Sequence, residues 1–197
     1  TAGSVALIAD AKRRGLSVTA ETGPHYFMLN DEMLRTKDAD YRMNPPLRTK
    51  ADQEAVLKAL VDGTLDVIAT DHAPHTPLEK SDFLNAPNGV IGMETSFCAA
   101  YTALVLTGLM TVSELIYRMS TLPAKILGRD LGTLRVGAPA DLILIDEHET
   151  WVVDPERLHG KSKNAVFKGR KLQSKIKMTV YNGEIVFEDE REKNYGV

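Results

Sequence analysis

Apolar residues Val5, Ile8, Ala9 and Ala11 recur near helical spacing in "TAGSVALIADAKRRG", and the basic run before Gly15 is a plausible helix end. The short β-rich run "LSVTAET" follows, with a strand expected over 17–21. A polar, proline-containing segment covers 36–49. "KADQEAVLKALVDG" then repeats the helical pattern and again stops at a glycine, and "TLDVIAT" reads as a second, buried strand over 66–70. Residues 76–92, "TPLEKSDFLNAPNGVIG", are rich in Pro, Gly and Asn and read as a long loop, of the kind that forms lids or stays disordered. Helix returns over 93–108, with "VSELIYRMS" and "PAKILG" as further helical pieces. Strands alternating with helices through short turns predict a parallel α/β architecture.

From Asp130 the pattern changes. "ADLILID", "NAVFKGRKL" and "KMTVYNGEIVFED" are β-rich, and Asn182-Gly183 splits the last of them as a hairpin signal. A domain boundary is therefore expected near residue 129, with residues 1–128 and 129–197 on its two sides. The final "EDEREKNYGV" reads as a solvated, charged tail.

Composition narrows the chemistry. The chain has 197 residues, 43% hydrophobic and 26% charged, which is enough for a buried core. With 24 Lys and Arg against 27 Asp and Glu, net charge −3, no basic surplus suggests nucleic acid or an anionic membrane as partner. A small or neutral ligand fits better. The single Cys98 lies in an apolar run and reads as a buried small hydrophobe rather than a reactive thiol. The chain contains no apolar run long enough to span a bilayer. It starts at Thr1 inside an expected helix, so a longer parent protein is anticipated.

Loops at the C-terminal ends of parallel strands build the sites of α/β folds. "ETGPHY" and "DHAPH" follow the two expected strands, and "RMNPPLR" lies between them. A carboxylate with imidazoles nearby suits metal ligation or proton transfer. The pattern alone leaves plainer readings open. Asp71 and His72 could be a helix cap and a surface histidine, His25 a packed structural histidine, and Asn44 the start of a turn.

Taken together, "ATDHAPH", "ETGPHY", "YRMNPPLR", "NGVIGMET" and "GTLRVGAPADLILID" resemble the dihydroorotases of the metal-dependent amidohydrolase superfamily, in the branch shared with allantoinases and dihydropyrimidinases. The resemblance runs from Thr1 to about Asp189. It implies the C-terminal part of a (β/α)8 TIM barrel over 1–128, followed by strands of a small β-sandwich over 129–197. It also implies a cytoplasmic zinc enzyme that interconverts N-carbamoyl-L-aspartate and dihydroorotate in pyrimidine synthesis. Two Zn ions are expected in the whole enzyme. Most of the family's ligands, including an "HxH" pair, precede the residues matched here, so this chain alone is expected to be inactive.

By the same resemblance Asp71 is both a metal ligand and the catalytic base, while Asn44, His75, Asn88 and Gly89 contact substrate. His72 and His25 are expected to be supporting residues, and Arg42 and Arg48 surface or loop-anchoring ones. A homodimer and an association with aspartate transcarbamoylase are left open. So are two other activities: an allantoinase or dihydropyrimidinase-type hydrolase, and a non-catalytic scaffold subunit.

Overall fold

The computed structural model describes residues 1–189; residues 190–197, most of the charged tail, lie outside the described residues. Helix α1 spans Ala2–Arg13, with Thr1 Oγ1 accepting from the Ser4 amide. It ends as the sequence pattern predicts. Gly15 adopts φ +73, its amide donates to Lys12 O, and the Leu16 amide donates to Ala11 O, which together close the orphan carbonyls of the last turn.

Strand β1 is only Glu21–Thr22, and β2 is Val67–Ile68. They pair in parallel, Glu21 opposite Val67 and Thr22 opposite Ile68. Both are shorter than the β-rich runs around them, because strand length is set by the neighbour that supplies ladder partners rather than by propensity. Between them lie the short helix α2 (Pro24–Met28) and helix α3 (Lys50–Asp62). Thr49 caps α3 by accepting from the Asp52 amide, and Gly63 at φ +87 terminates it. Lys12 on α1 pairs with Asp66 at 2.7 Å, and Asp66 also accepts from the Ala20 amide, so one carboxylate ties the helix to the entry of both strands.

The expected helix over 93–108 begins at Ser96. Gly92 and Thr95 form a turn that delays it, and α4 (Ser96–Ala100) runs on as a widened turn over Tyr101–Val105. Next come α5 (Val112–Ile116), a second widened turn over Tyr117–Thr121, and α6 (Leu122–Ile126). The second widening lies just ahead of Pro123, where the missing N–H would leave a regular ladder unclosed.

Strands β3 (Leu142–Val152), β4 (Lys171–Tyr181) and β5 (Glu184–Glu188) form one antiparallel three-stranded sheet in that order. The β4–β5 hairpin turns at Asn182 and Gly183, both at positive φ, as the dipeptide predicts. "NAVFKGRKL" departs from expectation. Residues 166–169 form a turn that drives Ala165, Val166 and Phe167 into the interior, and pairing starts only at Lys171.

Two main cores result. One gathers Phe27, Leu60, Leu65, Ile68, Leu104 and Leu115. The other packs Val90, Cys98 and Ala99 against Val153, Val166, Phe167 and Leu172, so it joins residues on both sides of position 129. Thr102 reinforces this contact, its hydroxyl donating to Cys98 O and accepting from the Gln173 amide at 2.9 Å. No helix among the described residues is long and apolar enough to cross a membrane.

Candidate functional site

Asp71 follows β2 at φ +49, a backbone conformation few non-glycine residues hold. Its side chain is 51% exposed. Backbone and exposure together present the carboxylate rather than bury it. The Tyr26 hydroxyl stands between two partners, 2.9 Å from Pro45 O and 3.4 Å from Asp71 Oδ2, and can donate to either. It thereby links the Asp71 loop to the loop carrying Asn44. Burial, then the nearby Asp71 charge, push the Tyr26 phenol well above its ordinary range. It stays a neutral donor.

His25 is 2% exposed, and its Nε2 lies 3.8 Å from Asp71 Oδ2 without a hydrogen-bond partner among the described residues. Burial pushes its pKa down to about 4, against the opposing pull of Asp71. It is therefore a neutral imidazole at pH 7, packed beneath the carboxylate as supporting residues are expected to be.

A second group forms around His75. Its Nε2 is 3.0 Å from Asn88 O; a carbonyl only accepts, so Nε2 carries the proton. Gly89 sits at φ +145, and a Cβ there would lie 2.6 Å from Ala73 Cβ, 2.9 Å from Ala73 O and 2.9 Å from His75 Nε2. Only glycine lets these loops approach so closely. The Gly89 amide donates to Arg42 O, two residues before Asn44. The loops carrying Asn44, His75, Asn88 and Gly89 thus meet one another, and Tyr26 joins the Asn44 loop to Asp71, with Asn44 and Asn88 exposed and Gly89 buried.

His72 has a clear structural task. Its Nδ1 accepts from the Gly92 amide at 3.0 Å, which fixes the tautomer and holds the turn before α4. Arg42 is the loop anchor expected of it, donating to Phe83 O at 2.6 Å and also to Leu84 O. Arg48 is exposed and pairs loosely with Asp52 at 3.9 Å.

Sequence reading missed two residues that hold these loops, Lys80 and Asn164, and a third, Glu94, that holds the segment 159–160. Lys80 donates to Ala39 O, Arg42 O and Pro87 O at 2.9, 3.2 and 2.9 Å. Asn164, 3% exposed, reaches from beyond position 129 to Ala73, His75 and Gly89. Glu94 accepts from the His159 and Gly160 amides, both at 2.9 Å. Nothing local in the sequence marks them, because each acts on partners distant along the chain.

Among the described residues no three His, Cys, Asp or Glu side chains converge as a metal site. The donors at hand are Asp71 and a buried imidazole 3.8 Å away. That pair falls short of the three or four protein ligands of a zinc centre.

Comparison with known proteins gives this arrangement its relatives. The amidohydrolase family model matches residues 7–186. The dihydroorotase of Citrifermentans bemidjiense is 48% identical over 189 residues, covering 95% of this chain and 44% of that protein. That of Syntrophus aciditrophicus is 47% identical, covering 96% and 45%. Among solved structures, a D-hydantoinase superposes with TM-score 0.88 at 31% identity, over 96% of this chain and 43% of that one. A dihydropyrimidinase from Brevibacillus agri superposes with TM-score 0.88 at 28% identity, over 94% and 42%. The chain therefore spans less than half the length of the relatives it matches. With a carboxylate at a strand end, a neutral histidine beneath it and a family match over almost its whole length, the chain belongs to the amidohydrolase family and is a homologue of the dihydroorotases.

Proposed function

We propose that the protein containing this chain is a dihydroorotase, which opens the ring amide of dihydroorotate and closes N-carbamoyl-L-aspartate in the reverse direction. Residues 1–128 would be the C-terminal part of a (β/α)8 barrel and 129–197 part of a small β-sandwich domain. The observation that carries the reading is the presentation of Asp71: an exposed carboxylate on a left-handed backbone, next to the loops bearing Asn44 and His75.

Asp71 takes a proton from the attacking water and delivers it to the departing amide nitrogen. The reverse direction uses the same carboxylate with the proton moving the other way. Asn44 offers an amide that donates and accepts at once, which matches the edge of a cyclic imide. With Nε2–H directed at Asn88 O, His75 can give a substrate carboxylate a second donor only from Nδ1 of the imidazolium. Gly89 brings the main chain close to the ring. Zinc is the metal the family resemblance implies, with Asp71 as the ligand this chain contributes and further donors required from elsewhere in the protein.

A second reading has support in the solved structures, which include a hydantoinase and a dihydropyrimidinase. The higher identity to dihydroorotases favours the first. Substrate competition decides between them. The whole protein, supplied with zinc, is expected to open dihydroorotate in preference to dihydrouracil, hydantoin and allantoin. Preference for one of the uncharged rings would reject the dihydroorotase assignment and keep the cyclic amide chemistry.

A further inference from the structure

We propose that Asn164 is a positioning residue for the substrate-reading loops, holding the His75 and Gly89 main chains at a fixed separation from outside the strand-end loops themselves. The proposal rests on the dihydroorotase reading for its catalytic consequence and on geometry alone for its structural one.

The Asn164 side chain is buried, and its amide is committed at both ends. Nδ2 donates to Ala73 O and to Gly89 O, each at 3.1 Å, and Oδ1 accepts from the His75 amide at 3.2 Å. These partners also fix which end is nitrogen, because the opposite placement would set an oxygen against two carbonyls and an NH2 against an N–H. The Asn164 carbonyl accepts from the Ile91 amide at 3.1 Å, so one residue engages the chain on both sides of the gap. The side-chain pairs are 75 to 91 positions apart in sequence, so no local turn could supply them.

The gap matters because it is already closed to its limit. Ala73 donates to Val90 O at 2.8 Å, His72 bridges to Val90 in parallel fashion, and a Cβ at Gly89 would collide with Ala73. His75 and Asn88, joined by the 3.0 Å contact, lie on the two sides of this gap. Removing the Asn164 amide leaves the buried Gly89 carbonyl and the half-buried Ala73 carbonyl and His75 N–H without partners, which the loops answer by separating to admit water. Asn88 and His75 then lose their register, while Asp71, held by a different set of neighbours, does not. Asn is the residue for this task. Asp would direct an anionic oxygen at two carbonyls, and Ser or Thr is too short to reach both strands.

The experiment compares Asn164→Ala with the unaltered whole protein by steady-state kinetics and by amide hydrogen exchange resolved to single residues. The expected result is a KM for dihydroorotate raised about tenfold with kcat changed by less than about threefold, the signature of lost substrate binding rather than lost chemistry. Exchange at the His75, Gly89 and Ile91 amides should accelerate at least about tenfold, while amides of the β3–β4 ladder keep their rates. Asn164→Asp, which keeps the acceptor but not the donors, should show the same split. Exchange accelerated equally across the chain, or unchanged at the three amides, would overturn the proposal. So would a fall in kcat at unchanged KM. If the unaltered protein fails to open dihydroorotate, the functional reading fails alone, and the exchange pattern still decides the role of Asn164.

Discussion

Gly89 shows how much a single residue decides here. Its φ of +145 and the 2.6 Å approach of any Cβ to Ala73 Cβ make it a site where even alanine must displace backbone. Gly89→Ala should lower stability by about 1–3 kcal/mol from backbone strain alone, measured as a shift of the denaturant midpoint. An unchanged midpoint would mean that the loops separate freely. Cys98 makes the opposite case. At 1% exposure, with burial raising its thiol pKa, it should resist alkylation in the folded protein and react only on unfolding. Prompt labelling under native conditions would contradict its place in the core. Cys98 could be read from its apolar surroundings, and Asp71 from its motif. The neutral state of His25 could not, because it follows from burial under a loop that folds back from far along the chain.

At the scale of elements, the helices that cap themselves were legible and those that depend on neighbours were less so. Gly63 ends α3 as a local signal, whereas β1 shrank to two residues because only its partner strand sets its length. Composition marks 76–92 as a loop of the kind that forms lids or stays disordered. There Lys80 collects three carbonyls and Arg42 two more, so this segment is fastened at several points. Lys80→Met should leave Pro87 O unpaired, take one of two donors from Ala39 O and from Arg42 O, and speed proteolysis within 76–92 about tenfold. Cleavage at an unchanged rate would show that Lys80 does not hold the segment.

Glu94 adds a pH signature to its contact with the segment 159–160. Burial works to raise its pKa, but bonds from the His159 and Gly160 amides and from the His159 ring outweigh it, leaving the carboxyl below its usual 4.5. A depressed carboxyl stabilises the fold above the unfolded value and loses that contribution as pH falls through the folded one. Glu94→Gln should therefore flatten the loss of stability below about pH 4.5, followed by thermal unfolding across an acid series. An acid limb identical to that of the unaltered protein would remove Glu94 as its source.

For the whole molecule, helices and one parallel strand pair precede residue 129 and one antiparallel sheet follows it. The two parts are in contact. A shared core and the Asn164 and Glu94 bonds run across position 129, and no sequence motif announces them. The motifs that carry the candidate residues were thus legible, while Asn164 and Lys80, which hold those loops in register, were not. The same scale governs the metal. Since no three donors converge among the described residues, the isolated chain is expected to retain well under one equivalent of zinc after dialysis. Stoichiometric, tightly held zinc in this chain alone would show that it assembles a site of its own.

The central claim is that Asp71 moves the proton in cyclic amide hydrolysis, and dihydroorotate ring opening by the zinc-supplied whole protein and its Asp71→Asn variant tests it most directly. The expected result is turnover by the unaltered protein and a loss of about 10²-fold to 10⁴-fold in kcat for the variant, the scale of a missing general acid–base group. Turnover within a few fold of the unaltered rate in a correctly folded Asp71→Asn protein would contradict it.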